Sequence, residues 1–287
     1  MLVSTAELAL HLNDPSWVIF DCRHDLIDLA MGERVYREGH IPNAHFANLE
    51  IDLSGEKNGK NGRHPLPSPM AFTAFLARHG VTHTSTIIAY DDAGGPYAAR
   101  LWWLARWVGL TNVVLLDGGL PKWIADGHAR SRDVPVPKPA ALRAYTDINA
   151  DPLMLVSADD VKARLNDDAA MTLIDARAAE RYRGDVEPID PVAGHIPGAH
   201  NRFFKDNLNA DLTLRSVDEL KAAFTAFSSN APTQFVHQCG SGVTACANLF
   251  AMEYAGLSGS RLYAGSWSEW VSDASRPVAK GSKTNNV

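Results

Sequence analysis

Cysteine is scarce in this chain of 287 residues: Cys22, Cys239 and Cys246 are the whole set. The count is odd and no two form a CxxC pair, so there is neither a disulfide framework nor a zinc site. Free thiols fit a reducing, cytoplasmic compartment, where a lone cysteine is available as a nucleophile. Long apolar runs are missing too. No stretch approaches the ~18 apolar residues that a bilayer-crossing helix needs, so no membrane partner is expected. The opening "MLVSTAELALHLNDPSW" has no basic segment, no long apolar core and no A-x-A site, and reads as an ordinary first helix rather than a leader. Positive charge is also in short supply. Lys and Arg number 27 against 33 Asp and Glu, a net charge of −6 without any basic run, which speaks against nucleic acid. An anionic ligand would have to be met by locally placed cations. What remains is ordinary for a globular protein: 46% hydrophobic, 21% charged, and long enough for two domains.

The chain repeats itself. "VIFDCRHD" (18–25) resembles "LIDARAAE" (173–180), and "EGHIPNAH" (38–45) resembles "AGHIPGAH" (193–200). "IIAYDDAGGPYAARLWW" (87–103) aligns with "FVHQCGSGVTACANLFA" (235–251), and "LLDGGLPKW" (115–123) with "LYAGSWSEW" (262–270). Asp21 and Asp175 lie 154 positions apart, the two GHIP glycines 155, Asp91 and Cys239 148, Trp123 and Trp270 147. Offsets this constant, and far longer than a solenoid period, indicate a duplicated domain. The proline-rich stretch that opens "SRDVPVPKPAALRAYTD" favours extended chain and reads as a linker over 131–149, dividing a domain at 1–130 from one at 150–280. The polar residues 281–287 read as a loose tail.

Within each half, short β-branched runs alternate with helical patterns. "WVIFD", "TIIAYD" and "NVVLLD" are the candidate strands of the first half, and "TLIDA", "TQFVHQC" and "SRLYAG" those of the second. "VSADDVKARLN" and "SVDELKAAFTAF" each set a Ser before an acidic first turn, a helix-start signal. Strands of about five residues between helices predict an α/β fold, each half a mainly parallel sheet flanked by helices. Ligands of such sheets lie beyond the carboxyl ends of strands. Cys239 is at such an end.

The loop "CGSGVTAC" (239–246) follows. Gly240 and Gly242 allow backbone conformations closed to other residues, so successive amides can turn toward one point. A ring of N–H donors and a helix starting near Val243 both favour a thiolate over a thiol. The aligned residue of the first half is Asp91, so one copy keeps a thiol and the other only the frame. Cys22, at a strand end, reads as structural. Cys246, expected two turns into the helix, reads as packing, with a resolving role as the alternative.

With the loop, the repeat and the GHIP motifs together, the chain resembles the tandem-domain rhodanese sulfurtransferases, and within them the thiosulfate and 3-mercaptopyruvate sulfurtransferases. The resemblance runs from the first helix to about residue 280. "CGSGVTA" matches the mercaptopyruvate branch, while the thiosulfate branch has basic residues in this loop. "GHIPGA", "DAR" and "GSWSEW" are family markers that report fold more than chemistry. The resemblance implies an inactive N-terminal domain and a catalytic C-terminal one. It implies transfer of a sulfane sulfur from a small anionic donor, 3-mercaptopyruvate, through a Cys239 persulfide to cyanide or a thiol acceptor, either a small thiol or a thioredoxin-like protein. It implies no metal and no organic cofactor. Thiosulfate is the alternative donor, and a sulfur-relay or partner-binding module the alternative role. By resemblance, Ser241 with His64 of "NGRHPLPS" and Asp52 of "LEIDLSG" form a proton relay. Arg181 of "RYRG" receives the donor carboxylate, and Gly240, Gly242, Val243 and Thr244 line the donor site. A second arginine expected in the stretch "DVEPIDP" is replaced by Asp190, an acid that would repel anionic donors unless it faces away.

The remaining candidates read as structural. His40 and His195 belong to the GHIP turns of both halves, His237 to packing or pocket lining on the strand before the loop, and Arg177 of "DAR" to an ion pair. Trp102, Trp103, Trp107 and Trp123 read as core. Tyrosine-type phosphatase and arsenate reductase chemistry needs Cys-x5-Arg, and here the sixth place after Cys239 is Ala245. A GxSxG hydrolase elbow is absent.

Overall fold

The computed structural model describes residues 1–137, 139, 150–165, 167 and 169–282. The expected linker, 131–149, falls mostly outside the described residues, as does 283–287 of the expected tail. The chain forms two compact units. One comprises Met1–Gly55, Leu66–Asp151 and Leu208–Leu214, the other Glu56–Pro65, Pro152–Asn207 and Arg215–Val287. Each unit therefore borrows a short segment from the other half of the sequence.

The first unit holds β1 (Leu2–Val3), α1 (Thr5–Leu10), β2 (Trp17–Asp21), α2 (Met31–Glu38), β3 (His45–Phe46), α3 (Pro69–Arg78), β4 (Thr86–Tyr90), α4 (Pro96–Trp107), β5 (Val113–Leu116) and α5 (Gly119–Ala125). Its sheet runs in the order β1-β5-β4-β2-β3, every pairing parallel. The second unit holds α6 (Ala158–Ala163), β6 (Thr172–Asp175), α7 (Ala179–Arg183), β7 (His200–Asn201), α8 (Val217–Thr225), β8 (Phe235–Gln238), α9 (Ala245–Tyr254), β9 (Arg261–Leu262) and α10 (Ser266–Trp270). Its sheet, β7-β6-β8-β9, is likewise parallel. The parallel α/β expectation is met in both, as are the six expected strands.

The helix starts follow the sequence. Ser157 and Ser216 accept the N–H groups of Asp160 and Glu219, whose carboxylates bond back to the serine N–H groups, two capping boxes. The strands β2, β4, β6 and β8 are almost wholly buried, as strands covered on both faces must be. One core gathers Leu8, Ile19, Ile88, Tyr90 and Trp123, the other Leu173, Tyr182, Val236, Trp267 and Trp270. Among the described residues no helix is long and apolar enough to cross a membrane.

Candidate active site

β8 ends at Gln238, and its chain turns through Cys239–Thr244 into α9. Gly242 has φ +78°, and a Cβ there would lie 2.3 Å from the carbonyl oxygen of Ala264, so only glycine fits. That conformation aims the Gly242 N–H at the Cys239 sulfur, 3.2 Å away. Cys239 and Ser241 are both buried, as is Val243. Thr244 is the residue before α9. Because the helix begins at Ala245, Cys246 lies in its first turn and not two turns in. Its thiol donates to the carbonyl of Gly242 at 3.3 Å, which ties helix and loop together.

The segment "GSWS" grips the other side of the loop. Ser266 is one of three non-glycine residues with positive φ among those described, at +55°. Its hydroxyl accepts the Cys239 N–H (3.0 Å) and donates to the Tyr263 carbonyl (2.9 Å). The N–H groups of Trp267 and Ser268 donate to the carbonyls of Cys239 and Gly240, both at 2.9 Å. Read in the sequence as a marker of fold, this turn holds the catalytic candidate by its own backbone.

Residues 56–65 complete the second unit. His64, 2% exposed, shares a 2.7 Å hydrogen bond between Nδ1 and the Ser241 hydroxyl, so two of the three expected relay residues meet. Asp52 belongs to the first unit. Its carboxylate accepts the Asn48 N–H (2.9 Å) and an Arg78 N–H (3.3 Å), and burial raises its pKa above the usual carboxylate range despite them.

Arg63, which sequence reasoning passed over in favour of its neighbour His64, carries a cation to the loop. Its N–H donates to the Ser268 hydroxyl at 2.9 Å. A Cβ on Gly240 would lie 3.0 Å from Arg63 Nη2 and 3.6 Å from Arg181 Nη2, so two guanidinium groups close on the same glycine. Arg181, on α7, donates to Glu187 at 2.6 and 3.2 Å and to Asp190 at 3.3 Å. Arg63 Nη1 donates to the other oxygen of Asp190. Asp190 thus neither faces away nor stands as a bare repelling charge: it is buried on two arginines. Burial pushes its pKa up, and the nearby Glu187 adds to this, against the pull of Arg63 and Arg181. Burial alone would raise Glu187 as well, but Arg181 and the N–H groups of Ile189 and Asp190 hold it below its ordinary value.

A buried thiol stands in a glycine loop at a strand end, with two arginines beside it and a duplicated parallel α/β fold around it. The rhodanese-like domain family matches residues 4–126 and again 157–273. The chain belongs to the rhodanese family. A probable 3-mercaptopyruvate sulfurtransferase of Pseudomonas aeruginosa is 46% identical over 283 residues, 98% of each chain. A putative thiosulfate sulfurtransferase SseB of Mycobacterium tuberculosis is 37% identical, covering 98% of this chain and 97% of its own. The crystal structure of SseA from Escherichia coli, a 3-mercaptopyruvate sulfurtransferase, superposes with a TM-score of 0.78 at 30% identity, over 93% of this chain and 98% of that one. The expectation of a tandem-domain sulfurtransferase of this family is borne out.

The repeated rhodanese motifs build frame in both units. Arg23 clasps Asp21 in one and Arg177 clasps Asp175 in the other, each also reaching a backbone carbonyl near the GHIP turn. His40 stacks on Tyr36 and bonds its carbonyl, and His195 does the same with Tyr182. His237 is buried against Met252 and Phe224, where burial lowers its pKa to about 3. The four tryptophans are buried, as is Cys22, and no disulfide forms among the three cysteines.

Proposed function

We propose that this rhodanese takes sulfur from 3-mercaptopyruvate, with Cys239 as the nucleophile. The observation that carries this is the convergence at one loop of the Cys239 sulfur, the Gly242 N–H and two guanidinium groups. The sulfur attacks the donor's thiol sulfur. A sulfur–sulfur bond forms, the donor's carbon–sulfur bond breaks, and its electron pair passes to the enolate of pyruvate, which takes up a proton. Loop amides stabilise the charge that remains on the persulfide. His64, bonded to Ser241, is the imidazole within reach to move the proton, and Asp52 is the carboxylate assigned to it by resemblance. Arg181 and Arg63 receive the donor's carboxylate. An acceptor thiolate, or cyanide, then attacks the outer sulfur and returns the Cys239 thiolate.

The branch assignment is supported by the 46% identical relative and by a loop without basic residues. Thiosulfate, with sulfite leaving, is the second reading, favoured by the relative named for that donor. Three free thiols suit a reducing, cytoplasmic compartment. The test is intact mass of reduced protein after exposure to each donor. A gain of one sulfur mapped to Cys239 with mercaptopyruvate is expected, and Cys239→Ser should abolish it. Gain with thiosulfate alone would reverse the branch, and gain with neither would overturn the reading.

A further inference from the structure

We propose that Asp190 is a specificity-determining residue: its carboxylate resides on the two guanidinium groups at the catalytic loop and so selects singly charged donors over doubly charged ones. This rests on the reading that Arg63 and Arg181 receive the donor's anionic end.

The side chain of Asp190 is only 3% exposed. One oxygen accepts from Arg63 Nη1 and the other from Arg181 Nη2 at 3.3 Å. Arg63 turns its other terminal nitrogen, Nη2, toward Gly240, and Arg181 approaches the same glycine with both Nη2 and Nη1, so the groups that hold Asp190 are the ones that border the loop. Glu187 shares Arg181 Nη2 with Asp190, and its other oxygen lies 3.4 Å from Arg177, which is already balanced by Asp175 at 2.6 Å. Beside the loop, then, two cations face two anions, and Asp190 is the anion shared by both cations. A donor reaching these arginines keeps its hydrogen bonds but meets little net positive charge.

The consequence has a definite form. The electrostatic energy between Asp190 and a bound donor scales with the donor's charge. Removing the carboxylate charge therefore improves a dianion by about the square of the factor gained by a monoanion. A fivefold gain for mercaptopyruvate would accompany a gain of about twenty-five-fold for thiosulfate.

The experiment compares Asp190→Asn, which keeps the shape and an acceptor oxygen, with Asp190→Glu, which keeps the charge. For each, kcat/KM is measured with both donors and cyanide. Binding without chemistry is read from protection of Cys239 against iodoacetamide by sulfate and by methanesulfonate, tetrahedral anions that differ by one charge. The expected result is a rise in both donors' kcat/KM in Asp190→Asn, carried by KM, larger for thiosulfate, with sulfate protection improving more than methanesulfonate protection. Asp190→Glu should keep the wild-type ratios. Equal changes for mono- and dianions would overturn the proposal. If Asp190→Asn does not fold, the wild type still decides: sulfate protecting clearly better than methanesulfonate would overturn it, and no better would support it. Wild type that takes sulfur from neither donor would instead sink the functional reading, which is a separate outcome.

Discussion

At Gly242 a single hydrogen atom in place of a side chain decides whether the sulfur has a donor. A methyl group there would strike the Ala264 carbonyl and oppose the positive φ. Gly242→Ala should therefore destabilise the second unit by about 2 kcal/mol or more and cut sulfur transfer on the order of a hundredfold, measured by urea denaturation and by steady-state kinetics. Unchanged transfer would mean that the Gly242 N–H plays no part. The Ser241–His64 bond allows a sharper test. If the pair moves one proton, Ser241→Ala and His64→Gln each lower kcat with mercaptopyruvate by roughly a hundredfold, and the double variant loses no more than either single one. Multiplying losses would show two independent roles.

Among the elements, the turn into α10 does most to hold the site. Ser266 keeps an unfavourable left-handed backbone because its hydroxyl satisfies the buried Cys239 N–H while donating to Tyr263. Ser266→Ala keeps the strain and orphans that N–H, so a loss of about 1–3 kcal/mol is expected in denaturant unfolding. Ser268→Ala removes the acceptor of the Arg63 N–H and should raise KM for the donor several-fold with little change in kcat. A fall in kcat alone would mean that Ser268 serves something other than donor binding. These contacts explain what the sequence could and could not reveal. Strands and capped helices were legible because their signals are local, a β-branched run or a serine before an acid. β1, β3, β7 and β9 have two residues each, too few for a period, and of these only β9 is legible in the sequence, from a longer run. Arg63 sits in a polar stretch that looks like any surface loop, and its role depends on bonds to residues 127 and 205 positions away. Asp190 was visible as an acid where a cation was expected, but its partners were not.

Taken whole, the molecule carries one design twice and loads it differently. The loop after β4 leads into α4 as the loop after β8 leads into α9, but at its head stands Asp91. Its carboxylate accepts the N–H groups of Ala93, Gly95, Tyr97 and Ala98 at 2.8–3.0 Å, where in the second unit the Cys239 sulfur meets the N–H of Gly242. Burial outweighs these four donors and raises the Asp91 pKa from 3.8 to about 6. The sign follows. Above about pH 6 the carboxyl is ionised in both folded and unfolded chain, and the full burial cost is present. As pH falls through 6 the folded protein takes up a proton that the unfolded chain, at its ordinary value, does not. Folding therefore gains stability from this group as pH falls toward 4, by an amount on the order of 1 kcal/mol between pH 7 and pH 5. Asp91→Ala lacks this contribution and is less stable throughout, because four N–H groups lose their acceptor. The difference in unfolding free energy, wild type minus variant, should widen as pH is lowered from 7 to 5 in urea titrations. A difference that narrows instead would mean that the four donors prevail over burial and the carboxyl is held ionised, a cradle strong enough to depress the titration of whatever anion it holds.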